Sequence, residues 1–341
     1  MRCSLYLHTE AGPMHQKLFL ILLLLLCFSD GYNQLVKTYG VVDAFVKSYP
    51  QKIENQARLD LFIRAINQKF PGDIDKVRGA FYWISENITY NYKAVNDNSI
   101  RQNDITKLIQ SGQALCSGYS NLMEYFCRKF GIECVTINGT GRSLYSDIIL
   151  NPNKLESDHS WNAIKINGEW KLIDATWGSG YTDYSTGEYH KSRNEKYFLA
   201  VPETFVYKHL PLNPQWQLLD TIVSAQTFCN WPFIDEGYFT NDISKVYPFQ
   251  LFIDKKVGDT VQFKFTSAKE LNYISFESLD NAVSEMGILN KSGNNYSYTF
   301  RPKKIGEFDI RVSVFNMGIR NGLGSVTFTP ALIYRLRVKS K

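Results

Sequence analysis

Three residues of this chain could supply a nucleophile, a base and an orienting acid: Cys116, His159 and Asp174. Cys116 follows Ser111-Gly112-Gln113-Ala114-Leu115 and opens an amphipathic stretch beginning Ser117-Gly118-Tyr119. A helix starting there presents N–H groups and partial positive charge to the sulfur, which favours the nucleophilic thiolate. A cysteine on a helix is by itself more often a packed residue. A hairpin downstream changes that reading. Asn167-Gly168 lies between two alternating runs and signals a two-residue turn. With that turn, Ile166 faces Glu169, Trp161 lies opposite Asp174 and His159 opposite Thr176. His159 and Asp174 become diagonal neighbours on one face, roughly 7–8 Å apart between backbones. The carboxylate can then fix the imidazole tautomer and leave the other nitrogen to take a thiol proton. Asp158 is adjacent to His159 in sequence, but successive strand side chains alternate faces, so it should look away.

Supporting groups are less determined. The backbone N–H of Cys116 is the natural first oxyanion donor, with Gln113, Tyr90 or Tyr92 as candidates for a second. Trp161 shares the face of His159 and either shields the imidazole or simply packs. Trp170 and Trp177 read as core. His190 and His209 have no partner at useful spacing and read as ordinary surface or core residues.

The elements that must position these residues are visible in the pattern. Residues 35–90 read as helical, and from Asp73, a candidate N-cap, Ile74, Val77, Phe81 and Ile84 recur at helical spacing. A helix over Cys116–Phe130 buries Tyr119, Leu122, Met123, Phe126 and Phe130 on one face, and Gly131 stops it. Strands follow at Glu133–Ile137 and across the hairpin from His159 to Thr176. Gly139–Asp158 and Gly178–Arg193 read as long loops. The Tyr-rich part of the second, Tyr181–Tyr189, is a possible peptide contact. From Phe249 onward short strands alternate with turns: Phe249–Ile253, Thr260–Phe265, Leu271–Phe276, Tyr296–Phe300, Phe308–Phe315 and Ser325–Val338. That spacing suggests an immunoglobulin-like antiparallel sandwich without its disulfide, since no cysteine follows Cys229.

With 341 residues the chain is long enough for two domains. Its net charge of +5 is spread along the chain with no basic block or stripe, which argues against a nucleic-acid partner. Leu18–Phe28 form one apolar run behind Lys17, about half of the ~20 residues that cross a bilayer. The run suits the core of a signal peptide with Ser29 near its cleavage point, and Met14 would give a more ordinary start than Met1. A lipid anchor on Cys27 fits poorly, because leucines rather than small residues precede it. Export, secreted or periplasmic, is expected, with no stable transmembrane span. Of six cysteines, removing Cys3 and Cys27 leaves Cys116, Cys127, Cys134 and Cys229. These make neither a disulfide scaffold nor a C-x-x-C metal pair, so no cofactor or metal is expected. Cys127 is ~16 Å from Cys116 along one helix, too far to pair. Cys127 and Cys134 read as two buried thiols, with a bridge possible in an oxidising compartment. Asn87, Asn138, Asn290 and Asn295 head N-x-[ST] sequons.

The runs Leu115-Cys116-Ser117-Gly118-Tyr119-Ser120, His159-Ser160-Trp161-Asn162 and Trp170-Lys171-Leu172-Ile173-Asp174-Ala175-Thr176-Trp177 together resemble the transglutaminase-like superfamily. Its members keep a Cys at a helix start, His-x-Trp on one strand and Asp-x-Thr on the next. The resemblance spans about Ile84 to Gly178. Tyr197-Phe198-Leu199, Pro202-Glu203-Thr204-Phe205, His209-Leu210-Pro211 and Trp216-Gln217-Leu218-Leu219 look like the kyphoscoliosis-peptidase-like subgroup. The resemblance implies an α+β fold: a papain/transglutaminase-like core of N-terminal helices plus antiparallel sheet, then an all-β immunoglobulin-like sandwich. The expected division is 1–31 leader, 32–240 catalytic domain and 241–341 sandwich. It implies Cys116 as nucleophile, His159 as base then acid, and Asp174 as orienter, acting on protein or peptide amides through a thioester. Ala114-Leu115 stands where the family often has Gly-Val, and Ser117 where crosslinking enzymes usually have Trp. Calcium-binding carboxylate clusters and the zinc cysteine pairs of peptide N-glycanases are not evident. These departures lean toward a peptidase, with crosslinking, deamidation or a non-catalytic binding module as alternatives.

Overall fold

The computed structural model describes residues 39–49, 53–143, 149–183, 185–315, 318–320, 323–325 and 329–341. The expected leader, residues 1–31, lies outside the described residues. The chain divides into two compact units. The first contains the described residues up to Thr136 together with Asn162–Phe198, and the second contains Ile137–Trp161 and Leu199–Lys341.

In the first unit the helical stretch resolves into α1 (39–48), α2 (Gln56–Lys69) and α3 (Asp73–Asn87). Gly72, not Asp73, is the N-cap of α3. Asp73 and Asp75 instead occupy its first turn, where negative charge suits the helix dipole. After α4 (Ile105–Ser111) comes α5, with the bounds read from the sequence, Cys116–Phe130. Its C-cap Gly131 sits at φ 75, a conformation that costs other residues a Cβ clash. The apolar face of α5 is buried as its spacing requires: Phe126 packs on Trp83 (ring centroids 5.6 Å) and edge-on to Phe62 (6.3 Å).

Strand β1 (Cys134–Gly141) is longer than expected and takes Gly139–Gly141 from the anticipated loop. Strand β2 (His159–Ile166) and strand β3 (Glu169–Ile173) form the hairpin. Asn167 and Gly168 both have positive φ, 52 and 86, and the register runs from Ile166↔Glu169 to Asn162↔Ile173 as the turn demands. β1 begins in the first unit and ends in the second, whereas β2 begins in the second and ends in the first.

The expected loop Gly178–Arg193 contains a second hairpin, β4 (Gly180–Asp183) with β5 (Glu188–Lys191). Its turn is held by Gly187 N–H donating to Asp183 O (2.7 Å) and Ser185 N–H donating to Asp183 Oδ1 (2.8 Å). Four-residue strands are too short to show their alternation in sequence. Trp170 and Trp177, read as core, are only half-buried.

In the second unit β6 (His209–Pro211) pairs with the end of β1, Gly139↔Pro211 to Gly141↔His209. Arg142, in the anticipated loop, is wholly buried: Nη2 donates to Trp231 O (3.0 Å), and its guanidinium carbon lies 5.7 Å from the centre of the Phe233 ring. Downstream, β7 (Phe233–Ile234) leads into two packed sheets. One has the order β8-β10-β14-β13: β8 (Ile243–Tyr247), β10 (Val261–Ser267), β14 (Asn295–Phe300) and β13 (Asn290–Ser292). The other has the order β9-β16-β15-β11-β12, with β7 also paired to β16. Its strands are β9 (Phe252–Lys256), β16 (Pro330–Lys339), β15 (Gly306–Phe315), β11 (Tyr273–Ser278) and β12 (Ser284–Ile288). β9 and β16 run parallel. Phe263 lies 5.0 Å from Phe276 and 5.5 Å from Tyr334 between ring centroids, so aromatic rings fill the space between the sheets. β7, β8, β12 and β13 were not expected: β13 is three exposed residues, and β12 alternates half-buried with exposed residues, including exposed Met286 and Ile288, so both lack the pattern of a buried strand.

Candidate functional site

Cys116 is the first residue of α5 and is half-buried. Its N-cap, Leu115, brings no side-chain oxygen to the first turn, so nothing on that side chain competes for the helix-end N–H groups. The chain reaches this point through a short parallel pairing, Thr89↔Gln113 and Tyr90↔Ala114. Thr89 N–H donates to Gly112 O (2.8 Å) and Asn91 N–H to Ala114 O (2.9 Å). Two oxyanion candidates thereby sit on adjoining strands: Gln113, which is exposed, and Tyr90, which is half-buried. Tyr92 lies two residues beyond Tyr90. Behind Cys116, Tyr119 is wholly buried and donates to Ile88 O (2.9 Å). Burial, with Tyr189 of β5 next in effect, holds the Tyr119 phenol well above its ordinary range, and burial pushes Tyr189 up to about 12.

Asp174 is fully buried, one residue past the end of β3. Oδ1 accepts N–H bonds from Thr176 (2.8 Å) and Trp177 (3.0 Å), an Asx turn that fixes the carboxylate's direction. Its backbone N–H donates to Tyr197 O (3.0 Å), and its backbone oxygen accepts from Gly178 N–H (2.9 Å). The hairpin strand expected to run to Thr176 ends at Ile173, because Asp174 opens this Asx turn instead.

His159 is buried at the start of β2. Two residues on, Trp161 shares its side of the strand, with ring centroids 5.8 Å apart. Asp158 is committed elsewhere, its Oδ1 accepting from Gly141 N–H (2.7 Å), as the alternation of faces requires. Trp161 can approach only because residue 139 is glycine. A Cβ there would lie 2.6 Å from the indole Cη2 and 2.3 Å from Leu210 O.

His209 corrects the reading of that residue as one without a useful partner. It is buried, its ring centroid is 5.5 Å from that of His159, and nitrogens of the two rings lie within 4.8 Å. Trp161 packs edge-on against it (5.1 Å). Fifty residues separate the two histidines, so only the pairing of β6 with β1 could have indicated this. His190 stacks on Tyr181 (5.2 Å) in the β4–β5 hairpin.

Cys127 is buried and Cys134 half-buried, and both are free thiols rather than two fully buried ones. A hydrogen bond with Cys134, then burial, raises the Cys127 thiol well above its ordinary value, and burial also raises Cys229. Among the described residues no helix is long and apolar enough to cross a membrane.

Residues 62–175, a span that contains all three triad candidates, match the family model of the transglutaminase-like superfamily. Human kyphoscoliosis peptidase is 27% identical over 272 residues, covering 77% of this chain and 39% of that protein. The Lim and transglutaminase domain protein ltd-1 of Caenorhabditis elegans is 24% identical over 255 residues, covering 66% of this chain and 33% of that one. The chain thus spans about two-fifths or less of the length of these relatives. Among solved structures, red sea bream transglutaminase is similar with a TM-score of 0.23 and 9% identity, covering 82% of this chain and 56% of that one. Residues 62–175 thus carry a transglutaminase-like superfamily domain, and the chain is similar to the kyphoscoliosis peptidases.

Proposed function

We propose that this protein is a cysteine-dependent acyl-transfer enzyme acting on protein or peptide amides, with hydrolysis as its outcome, and that Cys116, His159 and Asp174 are its catalytic residues. The observation that carries this reading is the state of Asp174: a buried carboxylate aimed by two backbone N–H groups, one residue beyond a strand whose register with β2 is Asn162↔Ile173. His159 lies three residues before Asn162 on that same strand, which supports the diagonal pairing expected from the turn.

In this mechanism His159 takes the Cys116 proton, and the thiolate attacks the amide carbonyl carbon. The oxyanion is held by the Cys116 N–H and a second donor from Gln113, Tyr90 or Tyr92. The C–N bond then breaks as the His159 imidazolium protonates the departing amine, leaving a thioester on Cys116. Water, deprotonated by His159, attacks the thioester carbonyl. The C–S bond breaks, and the acid product leaves with the thiolate restored. Trp161 keeps water from the apolar side of the imidazole. Similarity to kyphoscoliosis peptidase and Ser117 after the nucleophile favour water over an amine as acceptor.

Mass spectrometry of a protein mixture incubated with the wild-type chain and with Cys116→Ala tests the proposal. New peptide termini should appear with wild type alone. Glutamine–lysine crosslinks or deamidation without cleavage would overturn the peptidase reading. Identical spectra would overturn catalysis and leave a binding module. We further propose that residues 1–31 direct export and that the C-terminal sandwich, 241–341, is immunoglobulin-like. Recovery of the processed chain outside the cell tests the first, and the strand pairings detected by NMR across residues 241–341 of the full chain test the second.

A further inference from the structure

Arg78, in the middle of α3, is 2% exposed, yet it is charged and far in sequence from every triad candidate. A buried guanidinium is tolerated only where its N–H groups are matched by acceptors. Two carboxylates do this from opposite sides. Asp43 accepts from Nε (2.7 Å) and Nη2 (2.6 Å), whereas Glu195 accepts from Nη1 and from Nη2 (2.9 Å). Arg193 Nε also donates to Glu195 (2.9 Å).

Glu195 opens the short turn Glu195–Tyr197, in a strap of chain that grips the Asp174 turn at both ends. At one end Asp174 N–H donates to Tyr197 O (3.0 Å); at the other, Asn194 N–H donates to Gly178 O (3.0 Å). Ser192 N–H adds a third tie to Ser179 O (3.0 Å). At the end of the strap, Phe198 packs against Phe81 (5.1 Å) and edge-on to Tyr39 (5.2 Å), and the Arg78 guanidinium lies over its ring (5.2 Å). Every atom in this path belongs to one unit.

We infer that Arg78 is a positioning residue for Asp174, acting through Glu195 and the strap 192–198. The inference rests on the proposed role of Asp174. The side chain of Asp174 is oriented by its own turn, but the turn itself is placed by the strap. The strap is keyed to the helical body by ion pairs: Glu195 with Arg78, and Arg193 with Glu86 (3.2 Å) and, at longer range, Asp43 (3.8 Å). Asp43 pairs equally closely with Arg78 but meets the strap only through a longer contact with Arg193 (3.8 Å), so it supplies a graded internal control.

The test uses the full chain with Glu195→Gln, Asp43→Asn and Arg78→Lys, each first shown folded by its thermal transition. Two readouts are taken: hydrogen exchange of peptides covering residues 172–178, and the pH profile of Cys116 alkylation by iodoacetamide. Glu195→Gln should speed exchange at the Asp174 turn at least tenfold and slow alkylation at pH 6.5 about tenfold. Arg78→Lys should fall between it and wild type. Asp43→Asn should lower the thermal midpoint and shift both readouts by less than about threefold. Unchanged exchange in Glu195→Gln overturns the inference, and equal changes in Glu195→Gln and Asp43→Asn reduce Arg78 to a structural role. If wild-type Cys116 reacts only above pH 8, the catalytic reading fails on its own. The exchange arm still decides whether the strap places Asp174.

Discussion

The ring of His209 lies flat on that of Phe205, centroids 3.6 Å apart and planes 12° apart, and the Nδ1 of His209 is 3.2 Å from the Phe205 carbonyl oxygen. A carbonyl can only accept, so Nδ1 of His209 carries a proton. Stack and hydrogen bond together give this histidine one orientation beside His159. Phe205→Ala should cost about 3–5 kcal/mol of stability by opening a cavity. His209→Phe should keep most of the stacking, lose the hydrogen bond, and destabilise by about 1 kcal/mol. Chemical denaturation of the two variants checks the order.

Thiol reactivity should separate the cysteines. Cys127 is held above its ordinary value by its bond with Cys134 and by burial, and Cys229 by burial. Brief iodoacetamide treatment at pH 6.5 followed by peptide mapping should therefore find the label on Cys116 and not on Cys127 or Cys229. In His159→Ala the Cys116 label should fall by about tenfold or more, in line with the usual contribution of a positioned base.

On the proposed reading Asp174 does two jobs, holding its turn and orienting His159, and substitution can separate them. Asn at this position keeps an oxygen for the Thr176 and Trp177 N–H groups, so Asp174→Asn should fold with a near wild-type thermal midpoint. It should also lose about 10³–10⁴-fold in kcat, because the amide no longer fixes the required imidazole tautomer. Asp174→Ala strands both N–H groups in a buried turn and should cost about 1–3 kcal/mol as well. Parallel melting and turnover measurements on the two variants check this split.

The Glu195 ion pairs predict a pH dependence of stability. Burial works to raise its pKa but is outweighed by Arg78 and then Arg193, which leave it below its ordinary 4.5. A carboxylate depressed in the folded state stabilises above its unfolded value and loses that contribution as pH falls through its folded value. The thermal midpoint of wild type should exceed that of Glu195→Gln at pH 7. The gap should narrow as pH falls below about 4.5.

Elements with a strong local period could be read from sequence alone. The α5 helix announced itself through Tyr119, Leu122, Met123 and Phe126, and the β2–β3 register followed from Asn167-Gly168, because a two-residue turn leaves no other pairing. The C-terminal strands with a full inward/outward alternation, such as Val261–Ser267, were legible for the same reason. What escaped depends on distant partners. The β4–β5 hairpin is too short to carry a pattern. Arg142 reads as a loop cation until the carbonyl oxygens of Phe228 and Trp231 converge on it. His209 gains its neighbour only through the β6–β1 pairing. For the candidate site, the residue types were legible in the motifs, while the strap that carries Tyr197 to Asp174 was not.

Because β1 and β2 each begin in one unit and finish in the other, and the chain passes over again after Phe198, the polypeptide changes units three times. Neither unit can be made by cutting the gene once. A fragment stopped at residue 198 retains Gly139–Gly141 but has discarded His209–Pro211, leaving that edge of β1 unpaired. Such pieces should clump during expression, and domain-mapping by truncation would misreport an assembly defect as a loss of chemistry. Point substitutions are the sounder tool for this architecture.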